Sequence, residues 1–174
     1  STDEDIKLVG DQQREYQSGV GSLLYLLKHS RPELSNPIRE LSKAMHEPNI
    51  DYMKKMLRVI KWVLNTPTVG LRMRPEVERN SEGKIIRKVH GMCDATWGLD
   101  PDDGRSVSEY IIFVQGVLVA WKSNTQASVV LSSAEAEYVS STEMVKEMLW
   151  IRQMLEFFNL EIEAPMNVFI DNIS

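Results

Sequence analysis

Cysteine is almost missing from this 174-residue sequence; Cys93 stands alone. A single thiol excludes an internal disulfide and any cysteine-based zinc cluster, and it points to a reducing compartment. Long apolar runs are missing too. No uncharged stretch approaches the ~18 residues that a membrane-spanning helix needs. No basic-then-apolar leader opens the chain, because Asp3, Glu4 and Asp5 come first. The expectation is a protein that is neither secreted nor membrane-bound.

What is present belongs to a globular protein. Hydrophobic residues make up 43% and charged residues 26%, enough for one medium domain or two small ones. The net charge of −5 hides a split: residues 1–90 carry +4 and residues 91–174 carry −9. A basic half suits an anionic partner, and an acidic half suits a cation such as a metal. An acidic helix face that is merely solvated would give the same imbalance, so charge alone does not choose.

The first half reads as helical. Tyr16 to His29 places Val20, Leu23, Leu24, Leu26 and Leu27 at near-helical spacing. Gly19 and Gly21 weaken that helix intrinsically, which implies tight packing against a neighbour. Asn36-Pro37 reads as an N-cap with proline at the first helical position, opening a helix to about His46. Asn49 caps a third helix, about Ile50 to Asn65, with Met53, Met56, Leu57, Ile60, Val63 and Leu64 inward. Lys54, Lys55, Arg58 and Lys61 lie off that stripe. They suit a phosphate backbone, or an ordinary wet helix face. Leu71 to Met73 has the makings of a short strand, and Asn80 to Gly83 of a loop tip.

The second half changes character. Lys84 to Ala95 reads as a strand with a bulge at Gly91. Asp100-Pro101-Asp102-Asp103-Gly104 is a strong turn signal. Ser108 to Val114 and Val117 to Lys122 follow as strands joined by Gln115-Gly116. Ser132 to Asn159 is a long run of helix formers, with Ala134, Tyr138, Ser141, Val145, Met148 and Leu155 along one side. Asn167 to Ile170 is a last short strand. The order βββαβ implies an α/β (α+β) fold in which the helix crosses over and the last strand lies parallel to the first. The expected division is a helical region at 1–75 and a mixed domain at 76–174.

That topology gathers acidic residues. Asp94 follows the apolar end of the first strand and Asp171 that of the last. Glu135 and Glu137 sit in the first turn of the crossover helix. Each aspartate alone is an ordinary strand-ending residue; together with a helical carboxylate they make an oxygen site for a hard divalent cation. Two such ions about 4 Å apart activate water and stabilise the leaving oxygen of a phosphodiester. Glu135 has a structural job. Ser132-Ser133-Ala134-Glu135 fits a capping box, with Glu135 reaching back to the Ser132 amide. Glu137 has no such job, and a carboxylate facing the sheet is costly unless a cation compensates it. Glu137 is therefore the preferred helix ligand and Glu135 the second choice. Trp97 suits either a substrate groove or the core.

These residues carry a resemblance. Cys93-Asp94-Ala95-Thr96-Trp97, Asp100 to Asp103, Arg105-Ser106-Val107-Ser108 with Tyr110, Trp121-Lys122-Ser123, Leu131 to Tyr138 (Leu-Ser-Ser-Ala-Glu-Ala-Glu-Tyr) and Asp171-Asn172 resemble the ribonuclease H domain of Ty1/copia-type retrotransposon polyproteins. Tyr16 to Leu26, Arg31-Pro32 and the basic third helix are similar to the C-terminal, thumb-like end of the reverse transcriptase in that polyprotein. The likeness covers about residues 13–174. It implies a ribonuclease H-like βββαβ core behind a small thumb- or connection-like helical region. It implies a hydrolase, an endonuclease that cleaves the RNA strand of RNA/DNA hybrids with Mg²⁺ or Mn²⁺, held by Asp94, Glu137 and Asp171. Lys54, Lys55, Arg58 and Lys61 would bind nucleic acid. The implied partners are the hybrid and the rest of the polyprotein, in a cytoplasmic virus-like particle or the nucleus.

Two departures from the family pattern shape the expectations. The family continues with further helices, a strand and a late metal-binding Asp, none of which lies within the 174 residues; a weakened second metal site and an open sheet edge that admits a second copy follow. Glu109 stands where the family has Gly. The competing expectation is a truncated, catalytically impaired module that binds nucleic acid or protein. Polymerase activity is not expected of these residues, since no Tyr-x-Asp-Asp pair occurs among them.

Overall fold

A computed structural model describes residues 6–98 and 104–171. The Asp100 to Asp103 turn and Asn172 lie outside the described residues. The chain forms two compact units, Ser1–Leu71 and Arg72–Ser174.

The first unit is helical: α1 (Asp11–His29), a 3-10 turn (Pro32–Leu34), α2 (Ser35–Lys43) and α3 (Ile50–Asn65). Tyr16, Val20, Leu23, Leu34, Ile38, Leu41 and Met56 form its core. The Tyr16 hydroxyl donates to the Leu41 carbonyl at 2.6 Å, so its buried polar end is satisfied. Asn49 caps α3 by accepting from the Tyr52 amide at 2.9 Å. A Cβ on Gly19 would collide with the Met56 sulfur, which accounts for that glycine; Gly21 faces open space.

Three expectations need correction here. Asn36 is not a cap. The 3-10 turn runs straight into α2, so the helix starts at Ser35 and Pro37 falls inside its first turn, where a missing N–H costs nothing. Leu57 and Leu64 are exposed, because α3 buries a narrower stripe centred on Met56. Residues 71–73 form no strand; the first extended pair comes later, as β1 (Glu78–Arg79) and β2 (Ile85–Ile86) around the 80–83 tip.

The second unit adds β3 (Val89–Thr96), β4 (Val107–Val114), β5 (Val117–Thr125), α4 (Ser133–Phe157) and β6 (Asn167–Ile170). The main sheet has the order β5-β4-β3-β6. β6 pairs parallel to β3, and the other pairs are antiparallel. This is a mixed α+β unit in which α4 carries the chain from one edge of the sheet to the other. Gln115 and Gly116 both have positive φ, 51° and 73°, the geometry of a two-residue turn whose twist matches the strands it joins.

Gly91 is not a bulge. It pairs regularly with Ile112, and the irregularity lies between β4 and β5 at Ile112/Phe113. A Cβ at Gly91 would stand 2.6 Å from the Met144 sulfur and 2.8 Å from that of Met148. The glycine is there so that α4 can lie close on the sheet. The buried stripe of α4 is Ala136, Ser140, Met144, Met148 and Ile151, whereas Tyr138 and Val145 are exposed. The true stripe is turned from the expected one, through Ala134, Tyr138, Ser141 and Val145, by about one residue, roughly 100°. Apolar side chains occur all round α4, so hydrophobicity does not mark its inner face. Close approach does, and it selects Ala136 and Ser140.

Candidate active site

The ends of β3 and β6 and the first turns of α4 meet at one place. Cys93 of β3 is in register with Ile170 of β6, so Asp94 and Asp171 are the next residues of two adjacent parallel strands. Both are exposed. Glu137 reaches Asp94 from α4. Its Oε1 accepts from the Ala95 amide at 3.2 Å, and its carboxyl lies within side-chain hydrogen-bond reach of Asp94. Its Oε2 is buried and has no hydrogen-bond partner.

Glu137 is held above the ordinary carboxylate range. Burial is the largest cause, the Ala95 amide opposes it, and the charges of Asp94 and Asp171 add to it. The Cys93 thiol beside it is pushed up to about 11, by burial first and then by Glu137 and Asp94. That thiol is a core group and no nucleophile. Among the described residues, no three His, Cys, Asp or Glu side chains are gathered tightly enough to enclose a metal ion. Asp94 and Glu137 form a pair, and Asp171 acts on that pair as a charge.

Glu135 does something else. Ser132 caps α4 by accepting from the Glu135 amide at 3.2 Å. The Glu135 carboxylate reaches back to the Leu131 amide at 2.7 Å, one residue before the expected target. It is a cap, pointed away from the aspartates in its bonding.

Three groups at this site carry roles that the sequence pattern did not assign. Ser140, fully buried, donates to the Asp94 carbonyl at 2.9 Å and to the Glu109 carbonyl at 3.3 Å, tying α4 to β3 and β4. Gln126, 1% exposed, donates from Nε2 to Ser108 Oγ and to the Ala136 carbonyl, each at 2.9 Å. Glu109, the cross-strand partner of Asp94, accepts from Ser123 Oγ at 2.7 Å. The four-residue spacing of Ala136, Ser140, Met144 and Met148 was a readable signal for Ser140; Gln126 left none. Trp97 is 54% exposed and donates its indole N–H to the Val130 carbonyl at 3.1 Å, so it is not a core residue.

The basic residues lie on α3 of the first unit. Lys54, Lys55, Arg58 and Lys61 are all exposed. Lys55 is ion-paired with Asp51 at 2.6 Å and lies 4.9 Å from the centre of the Tyr52 ring.

The fold and site describe a carboxylate-bearing α+β module and, N-terminal to it in sequence, a helical unit with four exposed cations on α3. Comparison with known proteins supplies its class. The chain is 33% identical over 159 residues to the retrovirus-related Pol polyprotein from transposon RE2 of Arabidopsis thaliana, across 91% of this chain and 10% of that protein. It is 32% identical over 133 residues to the putative transposon Ty5-1 protein of Saccharomyces cerevisiae, across 76% of this chain and 41% of that protein. It is 33% identical over 136 residues to secreted RxLR effector protein 161 of Plasmopara viticola, across 78% of this chain and 90% of that protein. No family model matches the chain. No solved structure matches it. Over most of its length the chain matches a region of retrotransposon Pol polyproteins. It spans about a tenth of the length of the plant polyproteins it matches. No helix among the described residues is long and apolar enough to cross a membrane.

Proposed function

We propose that the second unit is a ribonuclease H-like domain that cleaves the RNA strand of RNA/DNA hybrids with Mg²⁺ or Mn²⁺, and that the first unit is the thumb- or connection-like end of a reverse transcriptase. One observation carries this reading. Glu137 holds a buried oxygen with no partner beside a second carboxylate, where the parallel pairing of β3 with β6 stops. A carboxylate oxygen left that way is costly unless a cation or a proton completes it, and a cation does so at neutral pH without displacing the charge of its neighbour. The donor set fits: Mg²⁺ takes one or two carboxylates and fills its remaining positions with waters and substrate phosphate. Asp94 and Glu137 would hold such an ion, with Asp171 at the same strand ends.

When bound, the metal supplies an activated water and neutralises charge on the scissile phosphate. The chain supplies the rest. The Ala95 amide orients Glu137 Oε1. Ser140 fixes α4 to the backbone of Asp94. Trp97, anchored through its N–H, presents an exposed indole face to a sugar or base of the substrate. Lys54, Lys55, Arg58 and Lys61 would neutralise phosphates of the hybrid. This reading puts the protein with the nucleic acid of its element, in a virus-like particle or the nucleus.

A labelled RNA/DNA hybrid incubated with the full chain and Mn²⁺ or Mg²⁺ tests it. RNA-strand cleavage is expected, lost in EDTA and in Glu137→Gln and kept in Glu135→Gln. A second reading rests on the pairing of only two carboxylates and on the effector relative matched over nine-tenths of its length. It is a non-catalytic module that binds nucleic acid or protein. Tight hybrid binding without cleavage in either metal would favour it and would overturn the first.

A further inference from the structure

We propose that Gln126 is the positioning residue that holds Glu137 against Asp94. The contacts form a closed circuit. Ala95 of β3 is the cross-strand partner of Ser108 of β4. Ser108 Oγ accepts from Gln126 Nε2 at 2.9 Å. The same Nε2 donates to the Ala136 carbonyl at 2.9 Å. Ala136 precedes Glu137, whose Oε1 returns to the Ala95 amide. Gln126 is the one member of the circuit that lies on neither the sheet pair nor the helix. It therefore sets the distance between them. Its own backbone is fixed, because its amide donates to the Ser106 carbonyl at 2.8 Å.

The amide orientation follows from the partners. A carbonyl only accepts, so the side of the amide facing Ala136 must be the NH₂. That leaves Gln126 Oε1 buried without a partner. A residue needed only for packing would do better as leucine or methionine, which leave no acceptor orphaned. The cost is intelligible if the two N–H bonds are needed to place the helix. Ser140, one turn further along α4 from Ala136, ties the helix to the Asp94 carbonyl at the far end of the turn that carries Glu137. Gln126 acts on that turn directly.

The consequence for metal binding rests on the reading of Asp94 and Glu137 given above; the positional claim does not. The experiment separates them. Amide hydrogen exchange is followed on the full chain in the wild type, Gln126→Met and Gln126→Asn, and Mn²⁺ binding is titrated on the same samples. In Gln126→Met the Ala95 amide is expected to exchange at least about tenfold faster, while Cys93 and Ile112 keep their protection. Mn²⁺ affinity is expected to fall about tenfold, the loss typical when a group supporting a metal ligand is removed. Gln126→Asn, one methylene shorter, can meet only one of its two acceptors and is expected to fall between; it decides the matter if the methionine variant does not fold. Ala95 protection that is unchanged, or that falls only in step with Cys93 and Ile112, would overturn the proposal and leave Gln126 a packing residue. A wild type that does not bind Mn²⁺, with Ala95 still deprotected in the variants, would sink the metal reading and keep the clamp.

Discussion

Substitution of Gly91 by alanine tests how closely α4 must approach the sheet. The added Cβ would lie 2.6 Å from the Met144 sulfur, 2.8 Å from the Met148 sulfur and 3.2 Å from Met144 Cγ. Comfortable non-bonded separation is about 3.5–4.0 Å, so roughly 1 Å must be found. Neither methionine can swing into water, since both are fully buried. Overpacking of this kind costs about 1–3 kcal/mol. Loss of the glycine's extra freedom in the unfolded chain returns about 0.5–1 kcal/mol. The difference spans about 0–2.5 kcal/mol, and because both sulfurs stand under 3 Å from the added carbon the upper part of that range, about 1–2 kcal/mol of destabilisation, is expected. With a urea slope of about 2 kcal/mol per molar, the midpoint of the second unit falls by about 0.5–1 M. Gly21→Ala is the control. A Cβ at that position on α1 would meet nothing within 4 Å, so the variant should gain up to about 1 kcal/mol in the first unit. An unchanged or higher midpoint for Gly91→Ala would mean that the two sulfurs rearrange freely and that close approach is not what requires glycine there.

The remaining predictions concern the site and the basic helix. Burial, together with Asp94 and Asp171, raises the Glu137 pKa in the folded chain, so its protonated form is favoured there. That stabilisation is complete below the unfolded pKa and is lost as pH rises through the folded one; in EDTA the stability advantage of Glu137→Gln over wild type should therefore widen from about pH 4 toward neutrality, and a gap that does not change with pH would refute the assignment. Glu135→Gln should cost on the order of 1 kcal/mol in thermal or urea unfolding through its weakened bond to the Leu131 amide, with hybrid cleavage retained; loss of cleavage there, with retention in Glu137→Gln, would reverse the two roles. Arg58→Gln with Lys61→Gln should lower the slope of log affinity for the hybrid against log salt by about 0.9 for each phosphate no longer neutralised, and an unaltered slope would make α3 an ordinary solvated face.

The strand order was readable because it depends on period and punctuation. Alternation in Val107–Val114, the Gln115-Gly116 turn and the long helix before Asn167 leave few topologies, and the rarity of left-handed crossovers removes most of those. The meeting of Asp94 with Asp171 followed from that topology alone. What was not readable depended on distance. Gly91 looked like a bulge because glycine in a strand has two common causes, and only the two sulfurs above it distinguish them. The inner face of α4 was misplaced for the same reason. Apolar pattern marks a face only when the other faces are polar, and here Tyr138, Val145, Leu149 and Trp150 are apolar and exposed.

The first two turns of α4 explain why a short run is so specific. Ser132 caps the helix and Glu135 locks the cap, so the helix must start there. Ala136 is wholly buried, and its carbonyl takes the Gln126 amide; a larger side chain would push the turn off the sheet. Glu137 follows by one position and is aimed past the end of β6 at Ala95 and Asp94. Ser140, one turn on from Ala136, fits the same narrow gap and commits its hydroxyl to the Asp94 and Glu109 carbonyls. The start of the helix, the closeness of its approach and the direction of Glu137 are thus set by different residues. Shifting the cap by one residue would rotate Glu137 by about 100° and carry it away from Asp94. The spacing from Ser132 to Glu137 is therefore as constrained as the identity of either residue.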